Sequence, residues 1–526
     1  MADDGWWRGA VIYQIYPRSF QDTDGDGIGD LRGICRRLDA VADLGVDAIW
    51  LSPFYPSPME DFGYDVTDHM TVDPSYGSDK DFDELVRRAH ALGLKVIIDA
   101  VLNHTSDQHE WFEESRQSKD NPKADWYIWA DPKPDGTPPN NWISRYGESQ
   151  WTWEPRRRQF YRHQYLKSQP ALNLANDEVL EARLRFMRHW LDRGVDGIRF
   201  DAVCQYFADP QLKDNPPADP GDDEVSPVGG FSNFAWQKHE NDCNDARIEG
   251  FLEKLIEEIR CAGCTFTYAE LDIRYKAYDS LRRYTEDGLL SAAYTPDVME
   301  AELKPTAIAE VLRKAEEARC TENHVWCASN HDSARLVTRW ADREEHREAI
   351  AKLAAALVMT MPGPVSFFQG EELGLPDAGY TPEEYKDPQG IRFAPEGRSR
   401  DNIRHPYPWS DGEGAGFTEG PSWLPLKESV TTLHREGQEA DEDSVLATWK
   451  RMISLRQSKN ALKRGSCEII RADDDEGLLI YRRADEDMTI EVALQTKEDA
   501  SRLPDTEGKT LAEREGPFGY RITKLG

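Results

Sequence analysis

Positive charge is what this sequence is shortest of. Its 526 residues carry 64 Lys and Arg against 97 Asp and Glu, a formal net charge of −33. So acidic a surface repels phosphate backbones and anionic lipid, which excludes nucleic acid and membrane surfaces as partners. Salt adaptation and ordinary solubility both account for such a charge. Cysteine is sparse as well: there are eight, without a close-spaced framework, and Cys261-x-x-Cys264 has no second pair beside it. That argues against a disulfide scaffold, a zinc site or a redox dithiol, and for reduced thiols in the cytoplasm. Long apolar runs are missing too. The most apolar stretch, 349–368, is broken by Pro362, Gly363 and Pro364, so no membrane span is expected. Segment 1–20 lacks a basic stretch followed by an apolar one, so no secretion signal is expected either. No tandem repeat or low-complexity tract interrupts the chain.

What is present is a globular composition, 39% hydrophobic and 10% aromatic, with 16 Trp and 20 Tyr. Those rings serve either ordinary packing or stacking on sugars. Short β-branched and aromatic runs predict strands at 11–17, 48–53, 95–101, 197–203, 265–271, 292–298, 324–330 and 364–370. Most are near-continuously apolar, as strands buried on both faces should be. Amphipathic stretches such as 81–92 and 178–193 lie between them. Strands alternating with helices in this way predict a (β/α)8 TIM barrel, an α/β fold. Two connections are too long for that pattern, 104–172 and about 371–435, and both follow the C-terminal end of a strand. Barrel enzymes build their sites there. The tail from 464 alternates apolar and polar residues. The expected organisation is therefore a barrel over 1–103 and 173–463, an inserted lid domain (domain B) after the third strand over 104–172, and a C-terminal all-β sandwich over 464–526.

The acids fall at the strand ends. Arg199 and Asp201 are two apart and share one strand face. An arginine beside a carboxylate favours the ionised form and suits a nucleophile, although a structural ion pair has the same spacing. Glu270 ends the next strand, where a partly apolar setting raises a carboxyl pKa and suits a general acid. Asp332 stands at the same rim. Buried carboxylates are costly unless paired, and two suffice for glycoside hydrolysis.

Taken in order, Asp99-x-x-x-Asn103-His104, Gly197-x-Arg199-x-Asp201, Glu270 and Asn330-His331-Asp332 resemble the α-amylase superfamily, glycoside hydrolase family 13, in its α-glucosidase and oligo-1,6-glucosidase branch. The resemblance runs from Trp6 to about residue 410. It implies that Asp201 forms a covalent glycosyl-enzyme, Glu270 acts as acid then base, and Asp332 grips the sugar hydroxyls. It further implies that His104 and His331 bond the sugar, that Arg199 holds Asp201 and that Asp99 is structural. Asp61 and Tyr64 would take the terminal glucose, and Arg400 opposite Asp61 would close the cleft to chain ends. Ala202 after the nucleophile is similar to members preferring α-1,4 links. Ala171 departs from the family's usual acid in Gln169-Pro170-Ala171-Leu172-Asn173, which puts local loop contacts in question.

The segment Asp22-Thr23-Asp24-Gly25-Asp26-Gly27-Ile28-Gly29-Asp30 imitates an EF-hand loop without its final acid, and reads either as a bare turn or as a metal loop. The resemblance implies calcium, or magnesium in its place, in a structural role, held by Asp22, Asp24, Asp26, Asp30 and the Ile28 carbonyl. The expected function is an exo-acting retaining α-glucosidase, monomeric or homodimeric, acting on small α-glucosides such as maltose. The alternatives are glucosyl transfer or isomerisation on the same scaffold, as in trehalose synthases and sucrose isomerases, and a non-catalytic binding module. A phosphosugar hydrolase would need a basic cluster at the pocket, and none can be placed from sequence.

Overall fold

The structure is a computed structural model, and it describes residues 5–219, 232–273, 276–395, 397–498 and 503–526. Eight parallel strands form one sheet: β1 (Val11–Ile15), β2 (Ala48–Leu51), β3 (Lys95–Ala100), β7 (Gly197–Phe200), β8 (Phe266–Glu270), β9 (Ala292–Tyr294), β10 (Trp326–Cys327) and β11 (Val365–Phe368). Their order is β10-β11-β1-β2-β3-β7-β8-β9, and a parallel bridge from Ala293 to His324 joins the two ends into a barrel. Almost every strand residue is buried, which is why these runs read as apolar throughout. Inside, Ile12, Ala48, Ile97, Phe266 and Ala292 fill the floor beneath Trp50, Tyr268 and Tyr294.

The expected strands are all present but end early. The run expected as strand at 292–298 stops at Tyr294, because Pro296 cannot donate to a ladder, and Asp297–Glu300 turns helical. The stretch 324–330 keeps only its two central residues as strand. In each case the C-terminal end leaves the ladder to become the loop that carries side chains upward. The helices follow their patterns. Asp79–Ala91 starts with a Ser78–Asp81 capping box, and Asp177–Leu191 starts under the Asn176 side chain.

The insertion after β3 forms a lid with the antiparallel order β4 (Trp129–Ala130), β6 (Gln159–Arg162), β5 (Trp151–Glu154) and the helix Glu110–Ser115. Leu172 N donates to Asn103 O at 2.9 Å, so both ends of the insertion meet at the barrel rim. The tail departs from expectation. It is one five-stranded antiparallel sheet, in the order β12 (Ser466–Asp473), β13 (Leu478–Ala484), β14 (Thr489–Gln495), β16 (Tyr520–Lys524) and β15 (Lys509–Arg514). A second sheet to make a sandwich is absent among the described residues. Barrel helices, among them Pro305–Glu317 and Arg347–Thr360, pack against this sheet and take that part. Strand β15 escaped the pattern because an edge strand has half its residues in solvent.

Among the contacts that anchor the lid to the segment following β7 is one buried carboxylate. Asp242 is fully buried and accepts from Gln150 Nε2 of the lid at 2.7 Å, Asn215 Nδ2 at 2.9 Å and His239 Nδ1 at 3.0 Å. Burial raises its pKa, but His239, Arg162 and these donors outweigh that and hold it below the ordinary value. Asp242→Ala leaves several buried donors unpaired and is expected to cost about 3 kcal/mol or more of stability. Chemical unfolding, with limited proteolysis of the lid, measures it; an unchanged midpoint contradicts this account.

Candidate active site

Strand register assembles the centre. Asp99 pairs with Arg199, and Arg199 pairs with Tyr268, across β3, β7 and β8. Period-two alternation then points Asp99, Arg199 and Asp201 into the barrel. Arg199 is wholly enclosed. Its Nη1 donates to Asp99 Oδ1 at 2.6 Å and to Asp201 Oδ1 at 2.6 Å. Its Nη2 lies 2.6 Å from Glu270 Oε2 and donates to the Tyr294 hydroxyl at 2.8 Å. That hydroxyl donates in turn to Glu270 Oε1 at 2.9 Å. One guanidinium thus spans both carboxylates expected to do the chemistry.

Burial pushes Asp99, Asp201 and Glu270 upward, and Arg199 pulls each of them back. Asp201 is raised well above the ordinary range, because the charge of Glu270 adds to burial. Three acids share one cation, so they titrate as a coupled set. Asp332, 38% exposed, is the open member of the rim. Arg404 Nη2 donates to it at 2.5 Å and Arg400 Nη1 at 3.2 Å. Burial raises its pKa, but His331 and the two arginines outweigh burial and hold it below the ordinary value. The arginines dominate, because burial lowers His331 to about 3 and leaves it neutral.

A cavity of about 530 Å³ opens above this centre. Seven of the expected residues line it: Asp61, Tyr64, His104, Asp201, Glu270, Asp332 and Arg400. Arg199 and His331 stand behind the wall. His331, expected against the sugar, is fully enclosed. Gln14 Nε2 donates to its Nδ1 at 2.8 Å, so Nε2 carries the hydrogen and donates to the Tyr64 hydroxyl at 2.7 Å, which donates to Asp99 at 3.0 Å. The ring lies parallel to Tyr64 at 5.3 Å and fixes it. Ala202, in the left-handed region at φ 46°, is also buried and off the wall.

Asp61 and Arg400 close one end. Arg400 Nη2 donates to Asp61 Oδ1 at 2.7 Å, with side-chain exposures of 10% and 6%, so the pair is interior rather than a surface bridge. Asp387 holds the same guanidinium at 2.7 Å, and Gln169 Nε2 donates to Asp61 Oδ2 at 2.9 Å. Ala171, where the family's acid is missing, keeps the backbone in place by bridging to His104. Among the described residues no helix is long and apolar enough to cross a membrane.

The acidic loop lies apart from this cavity. Asp22, Asp24 and Asp30 each bring one oxygen to within 4.8 Å of the others, a set that fits a hard divalent cation. Asp26 stands outside that trio, with its Oδ1 accepting from Ile28 N at 2.8 Å. Gly27, at φ 86°, packs on the 371–435 insertion so closely that a Cβ there would lie 1.9 Å from Pro421 O.

Comparison with known proteins agrees with this geometry. The family described as "Alpha amylase, catalytic domain" matches residues 14–465. The chain belongs to the α-amylase family. It is 46% identical to a probable alpha-glucosidase of Rhizobium meliloti (strain 1021), across 89% of this chain and 85% of that one. It is 34% identical to an oligo-1,6-glucosidase of Heyndrickxia coagulans, across 96% and 95%. A solved structure of the alpha-glucosyl transfer enzyme XgtA superposes with a TM-score of 0.92 at 41% identity, covering 99% of this chain and 98% of that one. This family member is a glycosidase.

Sequence reasoning missed Tyr294, Asp387, Arg404 and Asp272. Asp387 and Arg404 lie in an insertion without periodicity. Asp272 offered a signal, an acid two residues beyond Glu270. Its carboxylate gathers the Cys204 thiol at 2.5 Å, the Gln205 amide, and the Tyr165 hydroxyl of the lid at 3.3 Å. Its charge adds to burial in raising Glu270. Asp272→Asn removes that charge and lowers the Glu270 pKa, so the carboxyl loses its proton at lower pH. The alkaline fall of kcat/KM on a chromogenic α-glucoside is expected to move to lower pH; an unmoved limb counts against the coupling.

Proposed function

We propose that the protein is an exo-acting, retaining α-glucosidase that removes terminal glucose from short α-glucosides, with α-1,4 links preferred. The observation that carries this reading is the Arg199 fork, which holds Asp201 and Glu270 side by side beneath the cavity. Retaining enzymes place their two carboxyl groups about 5–5.5 Å apart, against roughly 6.5–9.5 Å in inverting ones. A single guanidinium touching both favours the shorter spacing. Glu270 gives its proton to the glycosidic oxygen while Asp201 attacks the anomeric carbon. Water then releases glucose from Asp201, with Glu270 taking its proton. Asp332, held ionised by Arg400 and Arg404, stabilises the positive ring and grips its hydroxyls. The buried Asp61–Arg400 pair supports attack on chain ends only.

Asp201→Asn is expected to lower kcat on maltose by about 10⁴-fold or more. Proton NMR of the first product should find α-glucose; β-glucose would mean inversion and ends the proposal. Small Ala202 behind the nucleophile supports the α-1,4 preference. Ala202→Val is expected to raise isomaltose cleavage relative to maltose, and an unchanged ratio removes that part. Likeness to a glucosyl transfer enzyme across nearly the whole chain favours a second reading, in which a sugar or alcohol replaces water at the second step. Product analysis at high maltose separates the two, since transfer yields trisaccharides and hydrolysis yields glucose alone.

The acidic loop is proposed to hold structural calcium, or magnesium, through Asp22, Asp24 and Asp30, with the Ile28 carbonyl and Asp26 as further candidates. Calcium there neutralises converging carboxylates and ties β1 to the 371–435 insertion. EDTA is expected to lower Tm, restored by added calcium. An unchanged Tm together with metal-free protein by elemental analysis discards the site.

A further inference from the structure

Fully enclosed arginines in this protein bring their partners with them. Arg199 and Arg404 hold carboxylates, Arg162 donates to Gln150 Oε1 at 2.9 Å, and Arg456 donates to backbone carbonyls such as Met361 O at 2.7 Å. Arg183 differs. It is fully buried, and its Nε, Nη1 and Nη2 all lack a hydrogen-bond partner among the described residues. It projects from the buried stripe of the helix Asp177–Leu191, where Val179, Ala182, Phe186 and Met187 are its apolar neighbours in sequence. Its nearest ring contact is Trp111, at 5.3 Å.

The charge there is uncompensated. Burial lowers the Arg183 pKa to about 10, so the guanidinium remains charged at neutral pH, and only the Tyr127 and Tyr206 hydroxyls oppose that lowering. No carboxylate among the described residues acts on it. Three histidines sense the charge: burial and Arg183 together depress His69, His104 and His109. The Tyr206 hydroxyl is buried and unpartnered as well. An isolated buried cation is among the costliest arrangements a fold can contain. Water can accept the N–H groups, but it brings no charge.

We propose that the fully buried, unpartnered Arg183 guanidinium binds one small monovalent anion of chloride size. The guanidinium N–H groups are its donors. Enclosure and a single cation exclude sulfate and phosphate, which are larger and carry more charge. Arg183 is not among the residues that line the cavity above Asp201, so the effect of the anion falls on stability.

Crystals of the full chain in sodium bromide test this directly. An anomalous peak within hydrogen-bond reach of the Arg183 guanidinium is expected; density there that scatters only as water overturns the proposal. Thermal melts supply a second readout. Sodium chloride is expected to raise Tm saturably, by about 2 °C at one hundred times the Kd, beyond sodium gluconate at equal ionic strength. Arg183→Met should remove that difference. A Tm that follows ionic strength alone, whichever anion is present, also overturns it. The diffraction test needs no variant, so it stands even if Arg183→Met fails to fold.

Discussion

A single buried cation, Arg199, makes the centre of this barrel possible. Asp99, Asp201 and Glu270 come from three neighbouring strands and meet in an enclosed space. Without a positive charge between them, desolvation and mutual repulsion would either protonate them all or force the strands apart. Arginine suits the task because its planar fork serves several carboxylates at once and does not lose its proton. Tyr294 completes the arrangement by linking the guanidinium to the second oxygen pair, so the two acids are held at a defined distance.

The same device recurs at the rim with chain segments that are remote in sequence. Arg400 and Arg404, from the long insertion after β11, meet Asp61, Asp387 and Asp332. Together the two clusters set three arginines against six acids, so the cavity is negative overall. A negative cavity suits a reaction in which positive charge develops on a sugar ring. The distinction between Asp332, held low by arginines, and Glu270, pushed up by burial and neighbouring acids, follows from which cations each can reach. Neighbouring carboxylates of ordinary chemistry are thereby given different proton affinities.

Much of this was legible in the chain itself. Continuous apolar runs identified the barrel strands, because strands covered on both faces have no polar side to show. Alternation placed Arg199 and Asp201 on one face, and the ordered motifs brought in Glu270 and Asp332. Strand ends were not legible, since the last residues of a barrel strand carry strand-like composition while already belonging to loops. The edge strand Lys509–Arg514 was hidden for the opposite reason: none of its residues is buried, so no apolar alternation marks it. His331 could be recognised as part of a motif, yet its seat behind Tyr64 is a matter of packing.

What the sequence determined by itself is the local order: which runs form buried strands, which stretches form amphipathic helices, and which acids end which strands. These depend on neighbours within a few residues, and hydrophobic period and side-chain type report them directly. Tertiary structure alone decided which charges meet. Arg400 reaches Asp61 from 339 positions away, and Arg199 reaches Asp99 from 100. Such distances in the chain leave no local trace, because the free energy of a buried ion depends on the whole set of charges and dipoles that folding brings around it.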